Sequence, residues 1–144
     1  MILPINRYID VCGGIATTAE LLRAGFSAID IRMTHDYRHI VRVRKGVWAN
    51  LGIAHEVILA HRVGGRLACV SALELYGLEM RGLSYTGPFA RDIHVDVRRG
   101  ASRLRSLPDR GIVLHWSRNA HEGDRQSVSA AVAREQMRTC TALT

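Results

Sequence analysis

Residues 27–49 read SAIDIRMTHDYRHIVRVRKGVWA, and two different periodicities meet inside them. Ser27 is followed three residues later by Asp30. That spacing lets a serine hydroxyl accept the third backbone N–H of a helix while the carboxylate reaches back to the cap. A helix therefore starts after Ser27 and runs toward Tyr37. If Ile31 and His35 face inward, Ile29 and Met33 share the outer face one turn apart. From Ile40 the pattern changes to a period of two, with Val41 and Val43 on one side and Arg42 and Arg44 on the other, as in a strand. Lys45-Gly46 supplies the turn, and Val47–Ala49 returns as a second strand.

The preceding stretch, TTAELLRAG (17–25), repeats the capping logic. Thr17 and Glu20 make a capping box, Ala19, Leu22 and Leu21 are expected to face inward, and Gly25 ends the helix. A shorter segment, Ile5 to Val11, opens behind Pro4 and closes at Gly13-Gly14. Two capped helices joined by a glycine turn and followed by a basic hairpin predict a winged helix-turn-helix over residues 1–50.

In that geometry Thr17 and Ser27 cap their helices, and Thr18 with its helix N-terminus approaches a phosphate. Arg32 is the candidate for a base edge, with Thr34 or His35 in support. Arg38, Arg42, Arg44 and Lys45 are candidates for the phosphate backbone. The outer Ile29–Met33 pair suits a protein partner or a dimer contact better than a groove.

Residues 51–144 read as a small α+β lobe. AHEVILAHRVGG and LACVSALELYGL predict two helices, residues 80–91 a loop, IHVDV (93–97) and IVLHW (112–116) two strands forming a short hairpin, and SVSAAVAREQMR a last helix before a loose tail, TCTALT. The expected fold class is therefore mixed α+β, a winged helix-turn-helix plus this lobe.

The chain has 144 residues and a net charge of +7, with a sequence pI near 10.2. Such a balance favours an acidic partner, double-stranded DNA first. Lys45 is the only lysine, so arginine richness reflects a general preference and only its placement is informative. Residues 1–50 hold seven basic and four acidic side chains, for +3, and residues 91–144 carry +4. The second basic locus comprises Arg98, Arg99, Arg103, Arg105 and Arg110, either an extension of a phosphate-binding surface or a solvated connector. No apolar run is long enough to span a membrane and no leader is evident, so a cytoplasmic, nucleoid-associated protein is expected.

Catalytic and metal chemistry find little support. Cys12, Cys69 and Cys140 are odd in number and far apart, without metal-ligand spacing, and read as reduced thiols. His55 and His61 lie six residues apart, on different helix faces, so HEVILAH does not make a zinc helix. His94 and Asp96 share a strand face without a nucleophile beside them. His115-Trp116 is expected to pack at a lobe edge. Asp92, Asp96 and Glu122 do not form a nuclease pattern, and GGRLA and CGGIA are helix punctuation rather than phosphate loops. No catalytic residue, metal or cofactor is expected.

The ordered series GGIATTAELLRAGFS, IVRVRKGVWA, GGRLACVSALELYGL, IHVDVRRGASRLR and GIVLHW resembles an actinobacterial family whose N-terminal domain is like that of AbiEi abortive-infection antitoxins, over roughly residues 10–118. The resemblance implies a winged-helix DNA-binding domain, a small α/β lobe, and a role in transcription regulation as an antitoxin or repressor. Members often carry a very-short-patch-repair-like nuclease domain further on, which residues 1–144 do not include. The helix 28–37 also departs from the family, having Arg32 alone with Asp30 and Asp36 where relatives have several arginines. The alternative is a protein-interaction module, a phage or prophage effector or toxin-binding antitoxin, that contacts a host protein or cognate toxin. A homodimer would suit a palindromic DNA site.

Overall fold

The computed structural model describes residues 4–77, 92–118 and 121–143; the loop expected over residues 80–91 lies outside them. The chain divides into two compact units, residues 1–53 and 54–144. Both mix helices with a small sheet, so the class is α+β. No described helix is long and apolar enough to cross a membrane.

The first unit runs α1 (Ile5–Val11), β1 (Ile15–Thr17), α2 (Thr18–Arg23), α3 (Ala28–Asp36), β2 (Ile40–Arg44) and β3 (Val47–Asn50). Both predicted capping boxes form. The Glu20 and Asp30 amides donate to Thr17 Oγ1 and Ser27 Oγ, and each cap amide donates to the carboxylate three residues on. Each box satisfies two helix-end donors that would otherwise lack partners. The strands form an antiparallel sheet in the order β1-β3-β2, with Gly46 at a φ of 78° in the β2–β3 turn. Ile5, Ile9, Ala16, Leu21, Phe26, Ile31 and Ile40 make the core.

Two inward assignments on α2 are corrected. Ala19 and Leu22 are exposed, and Leu21 is the residue that is fully buried. With only six residues, α2 presents a single position to the core. Ile31 is buried on α3, and Ile29 and Met33 face outward as the spacing predicts. Asn50 ties α1 to β3, its amide donating to the Asn6 carbonyl and to the Asp10 carboxylate.

The second unit contains α4 (His55–Val63), β4 (Arg66–Leu67), α5 (Cys69–Leu75), β5 (Ile93–Arg98), β6 (Ile112–Ser117), α6 (Ala130–Thr139) and a 3-10 turn at Thr141–Leu143. Its sheet is ordered β4-β5-β6. The predicted hairpin of residues 93–97 and 112–116 is corrected: β5 and β6 are parallel, Ile93 opposite Ile112 and Asp96 opposite His115, with the short β4 antiparallel to β5. A parallel pair needs a long return, which the arginine-rich connector between β5 and β6 provides. β5 is central in the sheet, and Ile93 to Val97 are all buried. Gly65 lies so close to the Asp96 carbonyl that a Cβ there would collide with it. The expected loose tail is corrected as well, since Cys140 is buried at the end of α6.

Candidate functional site

In the first unit, the residues assigned to DNA fall into two groups. Arg32, Arg38 and Arg42 are exposed, as is Lys45, and Arg44 is half-buried. None of the five makes an ion pair among the described residues. Arg38 follows α3 with a φ of 62°, left-handed for a non-glycine residue, in the link to the hairpin. The other group is engaged internally. Thr17 and Ser27 are caps, and the Glu20 carboxylate sits on the Thr17 amide and hydroxyl, where an incoming phosphate would meet a like charge. The Thr18 hydroxyl accepts the indole N–H of Trp48 at 2.9 Å. The Thr34 hydroxyl donates to the Asp30 carbonyl at 2.6 Å, a back-bond within α3.

Trp48 joins the hairpin to both helices. Besides its bond to Thr18, its ring meets His35 of α3 edge to face, with centroids 5.3 Å apart. The hairpin is thus held against the helix pair by side chains as well as by the sheet. Ile29 and Met33 of α3, and Tyr37 at its C-terminal cap, are 59%, 46% and 68% exposed. Met33, Thr34 and Tyr37 also border an open groove of about 590 Å³ shared with Pro4, Ile5 and Phe26.

The second basic locus is only partly free. Arg98, Arg99, Arg103 and Arg105 are exposed without ion partners among the described residues, whereas Arg110 binds Glu56 through two hydrogen bonds of 2.8 Å. Trp116 lies on the outer strand β6, is 53% exposed and borders a shallow depression with Arg99 and Arg118.

The second unit gathers side chains that the sequence keeps apart. Cys69 begins α5, His94 lies on β5, His115 on β6 and Cys140 ends α6. One donor atom from each lies within 4.8 Å of the other three. His94 Nδ1 is 2.9 Å from His115 Nε2, and Cys140 Sγ is 3.8 Å from each of these nitrogens. Cys69, His94 and Cys140 are buried and His115 is half-buried. Burial lowers the His115 pKa, and the nearby Asp96 charge opposes this. All three cysteines are free thiols, and what their spacing in the sequence did not show is that Cys69 and Cys140 share this cluster.

Asp96 organises the neighbouring layer. It does not pair with His94 on its own strand. Its carboxylate accepts from His121 at 3.1 Å and from Gln136 at 3.3 Å, and stands 3.5 Å from Arg66 Nε. Gln136 in turn accepts the Cys69 amide at 2.9 Å. His61 contacts the Arg125 carbonyl at 2.6 Å, while His55 is exposed, in keeping with separate helix faces.

The chain matches no model of a known protein family and no curated protein. Any function must therefore be argued from its own side chains.

Proposed function

We propose that this chain is a non-catalytic, sequence-reading DNA-binding regulator, built as a winged helix-turn-helix and similar in role to an AbiEi-type antitoxin or repressor. The observation that carries this reading is the set of cations at residues 32, 38, 42, 44 and 45, unneutralised among the described residues and confined to α3, its exit and the hairpin. Charges left unpaired on adjoining elements suit an anionic partner, since a solvated protein surface gains nothing from concentrating them.

In a winged-helix docking geometry α3 enters the major groove and the hairpin lies alongside it. Arg32 would then read a guanine edge. Arg38, Arg42, Arg44 and Lys45 would hold phosphates. Thr17, Ser27 and Trp48 position these elements and touch no DNA.

Binding of the purified protein to a fluorescent duplex from its own upstream region, against a scrambled duplex, tests this at about 50 and 200 mM salt. Four phosphate contacts predict a loss of roughly a hundredfold in affinity across that range. Preference for the native duplex, relaxed by Arg32→Ala, supports base reading. Weak, sequence-blind binding at both salts overturns it.

A second reading rests on the exposed Ile29, Met33 and Tyr37. An apolar stripe on one helix also suits a protein partner such as a cognate toxin. Under that reading Ile29→Asp abolishes activity while loss of the hairpin arginines is tolerated.

A further inference from the structure

We propose that Cys69, His94, His115 and Cys140 form a tetrahedral structural zinc site in the C-terminal unit. The donor set is the first argument. Two sulfurs and two imidazoles match zinc, whereas calcium and magnesium require oxygen donors.

The second argument is geometric. Zinc bonds of about 2.0–2.1 Å to nitrogen and 2.3 Å to sulfur place tetrahedral donors roughly 3.3–3.8 Å apart. The 3.8 Å separations from Cys140 Sγ already lie at that spacing, and the 2.9 Å between the two rings needs only a small opening. The His94–His115 contact and both contacts of Cys140 Sγ use the same nitrogen of each ring, Nδ1 of His94 and Nε2 of His115. The Cys69 donor lies within 4.8 Å of these three, so a modest closure brings four donors around one ion.

The third argument is the cost of the arrangement. Ala68, Val70, Val113 and Met137 pack around the two cysteines, where apolar side chains would fill the same space without polar groups to satisfy. Cys69 holds a φ of 52°, a left-handed conformation that residues other than glycine adopt rarely. It does so at the start of α5, with its amide fixed by Gln136, which also reaches Asp96. Such outer hydrogen bonds orient ligands in metal sites. Two thiolates balance the charge of one Zn²⁺, so the loaded site is neutral, and loading releases the two thiol protons to solvent. Four protein donors leave no open coordination position, which makes the role structural: the ion would fasten the ends of α5 and α6 to the parallel strands.

The test uses the full chain purified under reducing conditions without added chelator. Elemental analysis should find about one zinc per chain. After zinc removal, Co²⁺ should give the intense visible absorption of a tetrahedral thiolate site, bleached by added Zn²⁺. Cys140→Ser and His115→Ala should each weaken cobalt binding by at least about tenfold, whereas Cys12→Ser, in the other unit, should leave it unchanged. Should the ligand variants fail to fold, the wild-type chain alone decides. Little bound zinc together with no tetrahedral cobalt spectrum overturns the proposal, and so does a Cys69–Cys140 disulfide in protein alkylated directly on cell lysis.

Discussion

The two units use polar residues in opposite ways. In the first, Arg32, Arg38, Arg42 and Lys45 point into solvent and form no ion pair among the described residues. In the second, Asp96, His94 and Ser71 are buried and joined to partners on other elements. A solvated charge contributes little to folding, so what it offers is directed at a partner. A buried polar group must be satisfied, so it specifies which elements meet. Arg98, Arg99, Arg103 and Arg105 are exposed in the second unit too, so the contrast lies in its buried Asp96, His94 and Ser71 and not in its surface.

The sharpest way to break that contrast is Asp96→Ala. The substitution removes the buried acceptor shared by His121, Gln136 and Arg66. Stranding the partners of a buried charge costs about 3 kcal/mol or more. Urea unfolding can follow each unit separately, because Trp48 lies in the first and Trp116 in the second. A Trp48→Phe background reports the second unit alone. A loss below about 1 kcal/mol there would mean that Asp96 behaves like an exposed charge, and the contrast would fail.

An intermediate effect is expected at the Ser27 cap, an exposed polar residue whose role is nevertheless internal. Ser27→Ala should cost about 1 kcal/mol, read from Trp48 in a Trp116→Phe background. The cap also carries a pH signature. The Ser27 backbone amide first, and its hydroxyl second, hold the Asp30 carboxyl below its ordinary pKa. A lowered folded-state pKa adds stability that is complete above the ordinary value and is lost as the pH falls through the folded value. Asp30→Asn should therefore destabilise the chain at neutral pH and progressively less below about pH 4. An unchanged penalty in acid would assign the effect to something other than the carboxylate.

The first unit was legible because its rules are local. Caps operate over three residues and a hairpin over a dozen, so Thr17–Glu20, Ser27–Asp30 and the 40–49 alternation could be read directly. The strand β1, only three residues long after a glycine pair, offered no comparable period. In the second unit the helices and the two longer strands were legible, but the short β4, whose Leu67 was expected to open a helix, and the assembly were not. A strand's periodicity does not encode its direction, and so the β5–β6 pair was expected as a hairpin and is parallel. The Cys-His cluster was hidden by distance: 21 residues separate its two histidines and 25 separate His115 from Cys140. Metal motifs are recognised by close spacing within one turn or knuckle, and here four different elements each contribute one donor. The available hint was that IHVDV and IVLHW each place a histidine among the apolar residues of a strand.

The smallest effect on stability, and the one that separates the units most cleanly, belongs to the hairpin. Arg42→Ala combined with Arg44→Ala removes two cations without ion partners, so unfolding should shift by no more than about 0.5 kcal/mol. The same variant should bind every duplex more weakly, and its salt slope should fall by about two, one for each lost phosphate contact. Preference between native and scrambled duplex should persist, because Arg32 remains on α3. If the double variant instead unfolds easily, these arginines brace the hairpin and the cationic surface is a by-product of folding. If stability and DNA affinity are both unchanged, the charges face a partner other than DNA, and the exposed Ile29–Met33 stripe becomes the place to look for it.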